Sequence, residues 1–247
     1  MHKFAPAMHP ELFDVRDRLY QKFDISPQDA DLAVRYVCCF LDAKRMDASK
    51  IIILPQIADW AWHELILDTA TYRSLCMRTF GHVLSHVKEA ESEILRDVFA
   101  KSMVMFLEKY GLEPEGNSEK WLDAGWDNPS YRLRNPIARD ITFIRSSKLD
   151  LCVDCSPLSR LFDWLPARLV ERFDIEKSEA EGAVRLYAAH LLALADDSRS
   201  GSLPPLGVLG RTAWEEHVLW VERYEADCHL VLGRTVDHKP NQATLIQ

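Results

Sequence analysis

The sequence predicts an all-α protein. Apolar residues recur at three- and four-residue spacing through most of the chain, the signature of amphipathic helices. Glycine is scarce, at 9 of 247 residues, which disfavours a turn-rich β protein. No stretch sustains a period-two alternation, and Ile51-Ile52-Ile53 is too isolated to build a sheet. The chain also repeats itself. Leu12-Phe13-Asp14 is answered by Leu161-Phe162-Asp163, Phe23-Asp24-Ile25 by Phe173-Asp174-Ile175, and Ala33-Val34-Arg35 by Ala183-Val184-Arg185. Trp62, Leu67, Tyr72, Cys76, Gly81 and His86 then match Trp214, Leu219, Tyr224, Cys228, Gly233 and His238 without a gap. The expected architecture is two degenerate helical repeats related by pseudo-two-fold symmetry, joined by a long helix and an irregular loop. Residues 1–88 hold the first copy, 89–158 the connection and 159–247 the second copy.

Each element has a local reason. Leu12, Val15, Leu19 and Phe23 form one stripe of a helix that starts near Glu11. Ser26 before Pro27 is an N-cap followed by proline at the first helical position, opening a helix over about 27–43 that buries Ala30, Val34, Val37 and Leu41. The segment from about 55 to 80 reads as one helix, with Gly81 placed to end it in the left-handed conformation. Lys88 to Tyr110 reads as a long charged helix stopped by Gly111. Residues 111–135 are loop-like, anchored by Trp121 and Trp126, and 136–150 are weakly helical. In the second copy, helices are expected over about 177–194 and 211–232, the latter ending at Gly233.

Composition narrows the function classes. A net charge of −8 argues against whole-surface binding to nucleic acid. No apolar run approaches membrane-spanning length, since Ile51 to Leu67 contains Asp59, His63 and Glu64. The N-terminus lacks the apolar core of a signal peptide, so a cytoplasmic location is expected. Adjacent Cys38 and Cys39, beside Tyr36, Val37 and Phe40, read as buried thiols.

Five groups of residues carry candidate chemistry. His63, Cys76, His82 and His86 are nitrogen and sulfur donors that suit a metal such as zinc or iron. On one ideal helix His63 and Cys76 stand about 220° apart, so the competing reading makes Trp62, Tyr72 and Cys76 core residues. His63 would then be hydrogen-bonded to a backbone carbonyl or to Asp59. Glu215, His217, Cys228, His229 and His238 offer a second donor set, although Glu215 and His217 are two apart and do not share a helix face. Cys152-Val153-Asp154-Cys155 is half of a zinc site or a redox pair, with linker packing as the alternative. Cys76 with His63 or His86 is the formal nucleophile pair, but no oxyanion hole, nucleophile elbow, P-loop or H-E-x-x-H accompanies it. Finally, Arg132, Arg134, Arg139, Arg145 and Lys148 against Asp140 alone make residues 131–148 a basic segment for an acidic protein surface or nucleic acid.

The pattern Asp59-x-x-Trp62-His63-x-x-Ile66-Leu67-x-Thr69-x-x-Tyr72-x-x-x-Cys76-x-x-x-Phe80-Gly81-x-x-x-x-His86 resembles the motif of the glycine-rich-domain-containing-protein-like family. The likeness covers roughly residues 15–125. It implies a helical domain and no particular chemistry. Where that family often ends His-His-x-Pro, the first copy has Ser85-His86-Val87-Lys88; the second keeps His238-Lys239-Pro240 but carries Glu215 in place of His63. The leading functional expectation is a non-enzymatic interaction or regulatory protein, such as an accessory subunit with a protein partner. A metal-binding protein or metalloenzyme using the His63, Cys76, His82 and His86 cluster is the alternative, with zinc or iron as the candidate cofactor. A nucleic-acid-associated protein using residues 131–148 is the third reading.

Overall fold

The structure, a computed structural model, describes residues 9–23, 25–86, 92–112, 158, 161–195 and 206–240. Among these, every regular element is helical and no strand occurs. The chain divides into two compact units, Met1–Pro129 with His238–Gln247 and Ser130–Asp237.

In the first unit, α1 spans Glu11–Phe23, α2 Pro27–Met46, α3 Gln56–Leu67, α4 Thr69–Phe80 and α5 Ser92–Met105, which runs into a π-helical turn at Phe106–Tyr110. The expected stripe of α1 is the buried one: Leu12, Val15 and Leu19 are fully covered, and Phe23 stacks on Trp60 at 4.8 Å. Ser26 caps α2 by accepting from the Asp29 N–H, with Pro27 following it. Helices α1, α2 and α3 pack on one another, and α2 also meets the π-helical turn. There Asp42 accepts from the Tyr110 hydroxyl at 2.8 Å and pairs with Arg45.

In the second unit, α6 spans Leu165–Phe173, α7 Lys177–Ala195, α8 Gly207–Val218 and α9 Val221–Leu232. Phe162, Leu165, Leu169, Ile175, Ala183, Tyr187, Leu191 and Ala213 form its core.

The single helix expected over 55–80 is two helices. Asp68 leaves the helical region (φ −85°, ψ 78°), and its side chain accepts from the Thr71 N–H, so it ends α3 and caps α4. An equivalent break at Leu219 and Trp220 splits the helix expected over 211–232. Ile51 to Ile53 lie in an irregular segment, so the strand candidate is not realised. The helix expected to run from Lys88 is described from Ser92 and widens into the π turn before Gly111. Gly81 and Gly233 do end α4 and α9 with φ of 76° and 68°, a conformation in which a Cβ would be strained.

Residues that match in the sequence make matching bonds in the two units. Tyr72 donates its hydroxyl proton to the Leu84 carbonyl at 2.8 Å, and Tyr224 donates to the Val236 carbonyl at 2.7 Å. Glu64 on α3 is 2% exposed. It is held by Lys22 at 2.7 Å and by Arg18, which lies 3.5 Å from the carboxylate and donates to the Glu64 carbonyl. Glu216 on α8 is held in the same way by Arg168 at 3.3 Å and by Arg172.

Two outcomes follow from this packing. Glu64→Gln leaves two cations at a buried position without their anion, so a urea titration is expected to show a loss of about 3 kcal/mol. Burial raises the Cys38 thiol pKa, and burial together with Cys38 pushes that of Cys39 up to about 12; both side chains are also covered, as is Cys76. In a Cys152→Ser/Cys155→Ser variant the remaining thiols are expected to resist a thiol reagent at pH 8 until denaturant is added, measured by the absorbance of the released chromophore.

Candidate metal centre

Helix α3 is covered on nearly every side. Ten of its twelve residues are buried, from Gln56 and Ile57 through Leu67. The two that are not are Asp59 and His63. They stand four apart and so share the one open stripe of the helix. A carboxylate and an imidazole are thus presented side by side by a helix whose other faces fix its orientation.

The third member arrives from the chain after α4. Gly81 reverses the backbone, and the Tyr72 hydroxyl bond to Leu84 ties the returning segment down. His86, two residues on, is thereby laid against α3. Its ring packs on Trp62 at 4.9 Å, and Trp62 packs on Phe40 of α2 at 4.6 Å. His63 Nε2 and His86 Nε2 approach to 2.9 Å. Asp59 Oδ2 lies 3.4 Å from His63 Nε2, and Asp59 Oδ1 lies 3.8 Å from His86 Nε2. The donor atoms of these residues all fall within 4.8 Å of one another.

The 3.4 Å contact matches the donor spacing of a cation site, the 3.8 Å contact is wider, and the 2.9 Å His63–His86 contact is that of a hydrogen bond. Donors bound to zinc at about 2.0–2.1 Å in a tetrahedron stand about 3.3–3.4 Å from each other. In the absence of a metal, one neutral ring can donate its Nε2 proton to the other across the 2.9 Å contact, beside the Asp59 carboxylate. A cation could take that proton's place between the two nitrogens and the carboxylate. The site is partly open: the Asp59 side chain is 34% exposed, whereas those of His63 and His86 are 13% and 10% exposed. His86 Nδ1 is buried with no hydrogen-bond partner, so Nε2 is the ring nitrogen aimed at the group.

Of the donors expected from the sequence, His63 and His86 come together, and Cys76 and His82 stand apart from them. Cys76 is fully buried on α4 beside Tyr72. His82 lies on the exposed turn after Gly81, with Nδ1 3.1 Å from the Phe80 carbonyl oxygen. Asp59 takes the third place. Its signal was the four-residue spacing to His63, legible as a partner for that ring but not as a ligand.

The second donor set does not converge. His217 is buried between Tyr187 and Asp227, His229 meets Thr235 at 3.3 Å, and Cys228 is buried, which raises its thiol pKa. His238 groups with the first unit, where its Nδ1 donates to the Leu67 carbonyl at 2.7 Å and its backbone pairs with Thr69. Glu215 is half-buried on α8. The Cys152-x-x-Cys155 pair and the basic residues Arg132, Arg134, Arg139, Arg145 and Lys148 lie outside the described residues, as do Trp121 and Trp126.

No described helix is long and apolar enough to cross a membrane. No curated protein and no solved structure matches the chain. A family profile described as UCP032817-like matches residues 7–102, a stretch that contains Asp59, His63 and His86. That family is uncharacterised and is not a glycine-rich-domain-containing family, so the resemblance drawn from the Trp62-to-His86 pattern is corrected. The residues that suggested it largely pack and cap helices: Trp62, Tyr72 and Cys76 are buried and Gly81 is a C-cap, roles that unrelated helical proteins share.

Proposed function

We propose that the protein binds a divalent transition-metal ion through Asp59, His63 and His86, and that the ion serves a regulatory role by fastening the segment after α4 to α3. One observation carries the reading: the three donors converge from a partly covered helix stripe and a returning segment, at separations of 2.9, 3.4 and 3.8 Å. Two imidazoles and a carboxylate favour zinc or ferrous iron over calcium or magnesium, which prefer all-oxygen sites. Three protein ligands leave at least one coordination position on the Asp59 side, where the site is open. This places the metal reading ahead of the plain interaction protein, and it keeps the regulatory role. His86 is reached through a segment that the ion would hold.

Metal-stripped protein is expected to take up one equivalent of Zn²⁺ or Fe²⁺ by calorimetry. Asp59→Ala, His63→Ala and His86→Ala should each weaken binding at least tenfold, while His82→Ala and Cys76→Ser leave it unchanged. Stoichiometric binding that survives His63→Ala with His86→Ala would sink the proposal, as would no uptake at all. Metal at a hundred times its dissociation constant should stabilise the fold by about 2.7 kcal/mol, read as a rise in melting temperature. Ligation requires neutral imidazoles and an ionised carboxylate, so uptake should weaken as pH falls.

A further inference from the structure

The end of α2 and the end of α5 share an apolar surface that the packing of the first unit leaves uncovered. Met46, the last residue of α2, is 66% exposed, and Ile51 in the irregular segment after it is 67% exposed. Val104 on α5 and Leu107 in the π-helical turn are 52% and 41% exposed. They make up four of the eight large apolar side chains exposed among the described residues, so the exposure is concentrated rather than scattered. Three contacts draw the two stretches together. The Ile53 N–H donates to Ser102 Oγ at 3.0 Å, Lys50 Nζ lies 3.4 Å from Met105 Sδ, and Lys109 Nζ lies 2.9 Å from Met46 Sδ. Methionine adapts its shape to what meets it, and π turns recur at functional sites.

The charges around this surface are unevenly satisfied. Asp42 pairs with Arg45 at 2.9 Å and accepts from the Tyr110 hydroxyl, and Lys109 is left 3.7 Å from it, over the Tyr110 ring. Lys44 is turned to the backbone carbonyls of Ala48 and Lys50. Asp47 accepts from the N–H and the hydroxyl of Ser49, and its charge reaches the Lys50 ammonium only through space. Asp97 pairs with Lys101. The ammonium groups of Lys50 and Lys109 thus rest on thioether sulfurs, which are weak acceptors. Glu108 adds one exposed negative charge. Two lysines against this one acid leave the rim positive, on a chain whose net charge is −8.

We propose that this surface docks an acidic amphipathic helix of a partner protein. Apolar side chains of that helix cover Met46, Ile51, Val104 and Leu107, and carboxylates beside them take the Lys50 and Lys109 ammonium groups from the methionine sulfurs. A carboxylate is a far stronger acceptor for an ammonium than a thioether, so the exchange favours the partner. A helix seats on such a surface through apolar residues three and four apart, which leaves its flanks free to carry the acids. A second copy of this chain seated face to face would set the same lysines against each other, which disfavours that pairing.

Fluorescence anisotropy with the full-length protein tests this, using a labelled helical peptide with a leucine face and glutamate flanks, and the same peptide with lysine flanks. The glutamate peptide is expected to bind at least tenfold more tightly than the lysine one, and to weaken as salt rises. Ile51→Ser/Val104→Ser should cost at least tenfold in affinity for it. Lys50→Gln/Lys109→Gln should cost at least threefold and remove most of the preference over the lysine peptide. This second pair carries the test if circular dichroism shows that the apolar pair disturbs the helices. Phe13→Ser/Tyr20→Ser, which removes exposed apolar groups on α1, should change nothing. No binding of the glutamate peptide, equal binding of both peptides, or an equal loss in the α1 variant overturns the proposal. So does self-association in sedimentation that Ile51→Ser/Val104→Ser abolishes, which would assign the surface to a second copy. Neither outcome depends on metal at Asp59, His63 and His86.

Discussion

A buried carboxylate held by two cations sets the frame of this protein. Glu64 on α3 sits out of water and is balanced by Arg18 and Lys22, four residues apart on one face of α1. Such a group cannot be left alone: unpaired, a buried charge costs several kcal/mol, so α1 and α3 are held in one register. That register orients the whole of α3. Because its other faces are covered, the stripe left open is the one that bears Asp59 and His63. The proposed metal site is thus a consequence of how the helix is anchored elsewhere. The second unit uses the same device, with Glu216 balanced by Arg168 and Arg172 on α6.

Around that anchor, a small set of residues shapes the turn that follows α4 and α9. A tyrosine hydroxyl takes up a carbonyl twelve residues on, and a glycine in the left-handed conformation makes the reversal that brings the carbonyl there. In both stretches a histidine follows two residues after the bonded carbonyl. Its surroundings then decide its role. His86 meets Asp59 and His63, whereas His238 donates to the Leu67 carbonyl, at the C-terminal end of α3. Identical spacing therefore delivers the same side chain to different tasks. Most of the matched residues therefore read as scaffold, and function is to be sought where a matched residue meets unmatched ones, as His86 meets Asp59 and His63.

The legibility of these features varied with how local their cause is. Ser26-Pro27, the stripe of α1, Gly81 and Gly233 could be read because capping, periodicity and left-handed backbone depend on a few neighbouring residues. The break at Asp68 leaves no local mark, since aspartate is tolerated within helices; only its bond with the Thr71 N–H turns it into a cap. Cys76 is a donor by residue type, but its side chain is buried beside Tyr72. Lys22 and Glu64 are 42 residues apart, and nothing in either neighbourhood marks them as partners.

The sequence by itself determined the helical class, several helix ends and the internal matching, since these follow from periodicity, caps and rare residues in order. The tertiary structure alone decided which donors share a point in space. The convergence of Asp59, His63 and His86, and the chain from Tyr187 through His217 to Asp227, depend on how helices far apart in sequence are rotated against each other. That rotation is set by packing and by buried charge pairs, which act across distances that no local pattern records.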